Sequence, residues 1–144
     1  MLQKNAKPAT ADGSIDFSDF DDSVNRYLIH MRDDWNDNVL NSPFFNNARI
    51  RFDGDSFRHF YFSGRKRRPQ EELESRAKCL PFIRDILENS GTEGCCSVDE
   101  ENHLGYVVMG RAMIDGKNTA IKVIITKKKK GKLFYLSVNN FGEI

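Results

Sequence analysis

The sequence predicts an α+β fold, with N-terminal helices packed on a C-terminal antiparallel four-stranded sheet, a meander. Three observations predict it. Residues 104–139 read as three consecutive strands, 104–114, 118–126 and 133–139, separated by Asp115-Gly116-Lys117 and by the run Lys127-Lys128-Lys129-Lys130-Gly131-Lys132. Residues 15–40 instead repeat apolar side chains at three- and four-residue steps, the stripe of an amphipathic helix. Hydrophobic content of 39%, with 11 Phe, is enough for one core in 144 residues.

Taken in order, residues 1–14 are polar, small and aperiodic, which predicts a disordered leader ahead of a single domain over 15–144. The first helix carries Phe17, Phe20, Val24, Tyr27, Leu28, Met31, Trp35 and Leu40 on one stripe. Asp16, Asp19, Asp21 and Asp22 crowd its first turns, where the helix dipole favours anions, and Asn41-Ser42-Pro43 stops it. Residues 15–45 thus form an acidic helical segment, and 49–144 the body. Residues 49–52 and 57–62 flank Asp53-Gly54-Asp55-Ser56, which predicts a hairpin, although Phe57, Phe60 and Tyr61 also suit a helical turn. A basic loop, 63–69, ends in Pro69, which opens a helix bearing Glu71, Glu72 and Glu74 early. Leu73, Ala77, Leu80, Ile83, Ile86 and Leu87 make its apolar stripe, with a kink expected at Pro81. Residues 94–98 suit a fourth short strand and 99–102 an acidic turn.

Net charge is +1, but residues 1–44 hold eight Asp against four Lys or Arg, and the remaining residues hold 18 basic against 13 acidic. The body is therefore basic and the leading segment acidic, so local clustering governs any polyanion partner. No apolar run reaches the ~20 residues of a membrane span, and no signal-peptide core is visible, so a soluble chain is expected. The three cysteines, Cys79, Cys95 and Cys96, make no C-x-x-C pair and read as reduced structural thiols.

Seven basic residues, Arg49, Arg51, Arg58, Arg65, Lys66, Arg67 and Arg68, fall within twenty positions, opposed only by Asp53 and Asp55 and interleaved with Phe57, Phe60, Tyr61 and Phe62. Lys122 and the 127–132 run add a second group. Cations that track a backbone beside aromatic faces that stack bases suit single-stranded nucleic acid, whereas the lysine turn alone also suits edge protection. His59, beside Arg58, is the best-placed general base, because neighbouring cations favour its neutral form; an ordinary structural histidine is the alternative. His30 reads as a boundary residue of the first helix and His103 as solvent-exposed. Alternation in the last strand sets Phe134, Leu136 and Val138 against Tyr135, Ser137 and Asn139, and the latter face, with Lys122, is expected to meet solvent or ligand. Arg76 stands on the helix that crosses the sheet, where it would clamp a phosphate or else pair with Glu71 or Glu72. No P-loop or G-x-G-x-x-G motif is present, and no His/Asp/Glu set has metal-ligand spacing.

From Phe57 onward, Phe57-Arg58-His59-Phe60, the helix Arg76-Ala77-Lys78-Cys79-Leu80-Pro81-Phe82-Ile83, the strand pair with Lys122 and the final Leu136-Ser137-Val138 make an arrangement that resembles the barnase/EndoU/colicin/RelE-like nuclease superfamily. Its phage-associated and polymorphic-toxin branches are the nearest in arrangement. The resemblance implies a ribonuclease without metal or cofactor, a toxin or effector that cleaves RNA such as tRNA through its 2′-hydroxyl. His59 would then be base or acid. Arg76 and Lys122 would stabilise the phosphorane, and Ser137, with Tyr135 or Thr119, would hydrogen-bond the phosphate. Arg58, Arg65, Arg67, Arg68, Tyr135, Lys128 and Lys130 would hold the RNA. An immunity protein as partner and a cytoplasmic target reached by specialised secretion belong to the same implication. From the residues alone, a non-catalytic module that holds nucleic acid or an acidic protein on its basic surface is the second reading. An inhibitor-like partner acting through the acidic helix is the third.

Overall fold

A computed structural model describes residues 15–90, 96–98 and 104–144. The leader 1–14, the acidic turn 99–102 and His103 lie outside the described residues. Asp16 caps a short 3-10 turn, Phe17–Asp19, by accepting the Ser18 N–H at 3.0 Å, and α1 (Phe20–Asp37) follows. Phe20, Val24, Tyr27, Leu28, Met31 and Trp35 all bury, as their spacing requires. The helix ends before Leu40, which is buried instead in β1 (Leu40–Ser42); β1 pairs antiparallel with β2 (Ala48–Arg51).

The hairpin expected over 49–62 does not form. Asp53 accepts from the Asp55 N–H, and Asp53 and Ser56 complete a capping box, so Asp53-Gly54-Asp55-Ser56 starts α2 (Gly54–Tyr61) rather than turning a strand back. Asp and Ser serve both turns and N-caps, because both need a side-chain acceptor for free backbone N–H groups. A two-stranded ribbon, β3 (Phe62–Ser63) with β4 (Lys66–Arg67), then presents Arg65 at its tip. Next come α3 (Gln70–Ala77), a 3-10 turn at Leu80–Phe82 that contains Pro81, one α-helical turn (α4, Ile83–Asp85) and a π-helical turn at Ile86–Ser90.

The large sheet is completed by β5 (Cys96–Val98), β6 (Leu104–Ile114), β7 (Lys117–Lys127) and β8 (Leu133–Glu143), in the order β1-β2-β8-β7-β6-β5. It is thus mixed and six-stranded, not a four-stranded antiparallel meander: β2 lies parallel to β8, with Ile50 opposite Leu133 and Arg51 opposite Phe134. The β6–β7 connection is a two-residue turn in which Asp115 (φ 51°) and Gly116 (φ 76°) both take positive φ, the requirement of a type I′ hairpin.

The described helices pack on one face of this sheet. Trp35, Phe52 and Tyr135 meet with ring centroids 5.4 to 5.7 Å apart, joining α1 to β8. Val108, Val123 and Val138 lie in register across β6, β7 and β8 and are buried. Ile86 seats so closely on Gly110 that a Cβ there would stand 2.5 Å from Ile86 Cγ1. Cys79 is free and buried, and burial pushes its thiol up to about 12, which makes it inert at neutral pH. No helix among the described residues is long and apolar enough to cross a membrane.

Candidate nucleic-acid interface

β8 does not alternate evenly. Its pairing with β7 shifts register between Ala120 and Ile121 and again between Ile124 and Ile125, so Ser137 and Val138 are both buried in succession. The shifts reverse the expected faces of β8 up to Ser137, while β7 keeps its expected alternation. Tyr135 is only 1% exposed and pairs with core Ile125, and Thr119 is also buried. Tyr135 therefore cannot stack a base. Its hydroxyl is raised far above its usual range by complete burial. Of the polar face predicted for ligand, Tyr135 and Ser137 thus lie on the packed side while Asn139 and Lys122 lie on the other, because a bulge inverts side-chain parity beyond it.

Arg76 enters that packed face from α3. Only 7% exposed, it donates Nη1 to Ser137 Oγ at 2.8 Å and to the Val138 carbonyl, and Nε to Glu72 Oε2 at 3.0 Å. Arg68 donates to the same Glu72 oxygen at 2.8 Å and, through Nε, to the His59 carbonyl at 3.1 Å. Burial works to raise the Glu72 carboxyl, but the hydrogen bonds from Arg76 and Arg68 outweigh it and hold the group below its ordinary range. Burial and the neighbouring Arg68 both lower Arg76. The network runs His59–Arg68–Glu72–Arg76–Ser137 and joins α2, α3 and β8.

The four residues expected to act together are thus only partly assembled. Arg76 and Ser137 touch, but their polar atoms are turned into protein. His59, half-buried in the last turn of α2, joins through its backbone carbonyl. Lys122 stands on the opposite face of the sheet, opposite Asn139 and with Nζ 5.6 Å from the Phe141 ring centroid. Among the described residues no three His, Cys, Asp or Glu side chains gather closely enough to hold a metal ion.

The basic groups meet a better fate. Lys128 bonds Asp53 and Asp55, each at 2.6 Å, pinning the lysine turn to the N-terminal end of α2. Hydrogen bonds to Asp53 and Asp55 raise Lys128 against the effect of burial, and the same contact lowers Asp55, with help from His59 and Arg58. At the other end of α2, Arg58 donates to Gly64 O at 3.4 Å and holds the β3–β4 ribbon alongside. Arg67 is taken up by Asp21 at 3.0 Å and by the Tyr61 ring, so it braces the ribbon on α1. Of the expected contact residues, Lys128, Arg67 and Arg68 are committed to internal pairs, while Arg58, Arg65 and Lys130 are exposed. Glu72 was legible only as one of two helical-spacing partners of Arg76; that Arg68 shares it follows from the ribbon.

Comparison with protein-family models, with curated proteins and with solved structures gave no match.

Proposed function

We propose that this protein is a nucleic-acid-binding module that holds phosphates on a basic surface around α2. The observation that carries the reading is the position of the two basic segments. Sixty residues apart in sequence, they end on either side of one helix of 8 residues, which spans roughly 12 Å at 1.5 Å per residue. A nucleic-acid strand carries one charge per roughly 3.4 Å, so a few nucleotides reach from one group to the other. Arg58, Arg65, Lys66, Lys127, Lys130 and Lys132 are exposed, and none makes an ion pair among the described residues. Phe62, exposed at the base of the ribbon, supplies an aromatic face beside them.

The ribonuclease reading has one contact in its favour, Arg76 with Ser137. Against it stand the burial of both residues and the placement of Lys122 on the other face. Binding is therefore the better-supported activity.

Affinity for labelled RNA and DNA strands across a salt series tests the reading. Binding should weaken steeply with salt, and the double variant Arg65→Ala/Lys66→Ala should reduce the log–log slope by roughly 1.4 for a single strand. Undetectable binding at low salt, or a slope unchanged by this variant, refutes it. Incubation with total RNA and EDTA separates the two activities. Fragments with 2′,3′-cyclic phosphate ends, lost in His59→Ala or Arg76→Ala, would establish cleavage in place of simple binding.

A further inference from the structure

We infer that the face of the large sheet opposite the described helices is a stacking platform for single-stranded nucleic acid. The inference rests on the nucleic-acid reading and specifies which strand form binds and where the bases lie. The register shifts that bury Tyr135 and Ser137 turn Phe134, Leu136, Asn139 and Phe141 of β8 to the opposite side from the helices. Phe141 is 58% exposed, and Met113, at the far end of β6, is 62% exposed. Large apolar side chains on a face that no described helix covers call for a partner.

The chemistry of that face selects the partner. A cation accompanies each phenylalanine: Lys122 Nζ lies 5.6 Å from the Phe141 centroid, and Lys128 Nζ lies 4.6 Å from that of Phe134. Arg51 is in register with Phe134, and Arg111 is exposed on β6 opposite Ala120. β2, β6 and β7 contain no Asp or Glu, and β8 contains only Glu143, at its end. Among the described residues, aromatic faces flanked by cations, with carboxylates only at the margins in Glu143 and in the Asp53 and Asp55 that hold Lys128, complement unstacked bases linked by phosphates. A duplex offers the phosphates but not the base faces, because its bases are stacked on one another. An uncharged apolar protein surface would offer no anion to Lys122, Arg51 and Arg111.

Phe134 and Phe141 are separated by roughly 20 Å along β8, at about 3.3 Å per residue, so they would take two non-adjacent bases of one strand. Half-exposed Ile124 and Leu136 lie between them. Lys128 sits at the seam, touching Phe134 on this face and Asp53 and Asp55 at α2, which makes the platform continuous with the basic rim.

Fluorescence anisotropy of the full chain with a labelled 15-nucleotide oligo-U strand, and with a blunt duplex of equal length, tests the inference. The strand should bind at least tenfold tighter than the duplex. Phe141→Ala should weaken strand binding about tenfold with little effect on the duplex, and Phe141→Tyr should retain it. In Phe141→Trp the added emission should be quenched by the strand. Phe141 is exposed, so unchanged circular dichroism of these variants is expected and shows that the fold persists. Equal binding of strand and duplex, or strand binding indifferent to Phe141→Ala but lost in Arg65→Ala/Lys66→Ala, overturns the platform and leaves the nucleic-acid reading standing. Binding of neither form overturns both.

Discussion

Arg76 Nη1 lies 2.8 Å from Ser137 Oγ, across the junction of α3 and the irregular segment of β8. The same nitrogen also donates to the Val138 carbonyl, a backbone group next to the register shift. A guanidinium can serve acceptors in several directions from one planar group, so a single side chain ties the helix layer to the bulged strand. The contact is structural, and it explains how an arginine can be buried on the packed face: its charge is met by Glu72, and two of its donors find oxygens in β8.

Removing that anchor should cost stability rather than binding. Ser137→Ala is expected to lower unfolding free energy by about 1.5–3 kcal/mol, the scale of a hydrogen bond to a charged donor. Arg76→Lys should cost about 2–4 kcal/mol, because one ammonium cannot reach Glu72, Ser137 and Val138 together. Urea titrations read both values; an Arg76→Lys midpoint equal to that of the parent would show that the guanidinium geometry does not matter.

The acid limb of stability should follow Glu72. Its folded-state pKa is depressed below 4.5, so its contribution is fully present above that value and is lost as pH falls through the folded pKa. Asp55, depressed below 3.8 by Lys128, acts in the same sense at lower pH. Urea midpoints should therefore fall from pH 5 towards pH 3, and Glu72→Gln should have a lower midpoint at pH 6 with a flatter decline. A Glu72→Gln profile parallel to the parent would remove Glu72 as the source.

Close packing at Gly110 makes a sharper test of the helix–sheet seam. Gly110→Ala would place its Cβ within 2.8 Å of three Ile86 carbons, a clash near the stem of a branched side chain. Overpacking of this kind costs about 1–3 kcal/mol. In Ile86→Ala the same glycine substitution should cost much less, so the double-mutant cycle should show strong favourable coupling. Additive effects would mean that Ile86 does not sit on Gly110 in solution.

Lys128 is neutralised by Asp53 and Asp55, and this suggests a gain-of-binding variant. Asp55→Asn removes an exposed carboxylate from the basic rim while leaving the Asp53 cap, so RNA affinity should rise several-fold at low salt, with the gain shrinking as salt is added. The change is measured in the same anisotropy series. Unchanged affinity would exclude the rim around α2 from the contact.

Local pattern made the N-terminal helix, the break at Pro81, the three long strands and the Asp115-Gly116 turn legible, because each rests on periodicity or on a backbone preference of a few adjacent residues. The same reading expects the strand at 49–52, which forms as β2, but not its partners, β1 and β8, and it misses β1 itself. A strand of three residues such as β1 carries too little alternation to recognise, and the parallel partner of β2, β8, comes from distant sequence. It also took the Asp53–Ser56 cap for a hairpin turn, since both use the same side-chain chemistry.

By itself, then, the sequence determined an α+β chain with an acidic helix, a basic body and cations interleaved with aromatics. Only the tertiary structure decided which side of β8 meets solvent. Side-chain direction has a period of two, so a single unpaired residue in the ladder exchanges the faces beyond it, and no local signal marks where that residue falls. That exchange buries Tyr135 and Ser137 against the helices and leaves Phe134 and Phe141 on the side of Lys122, away from the described helices.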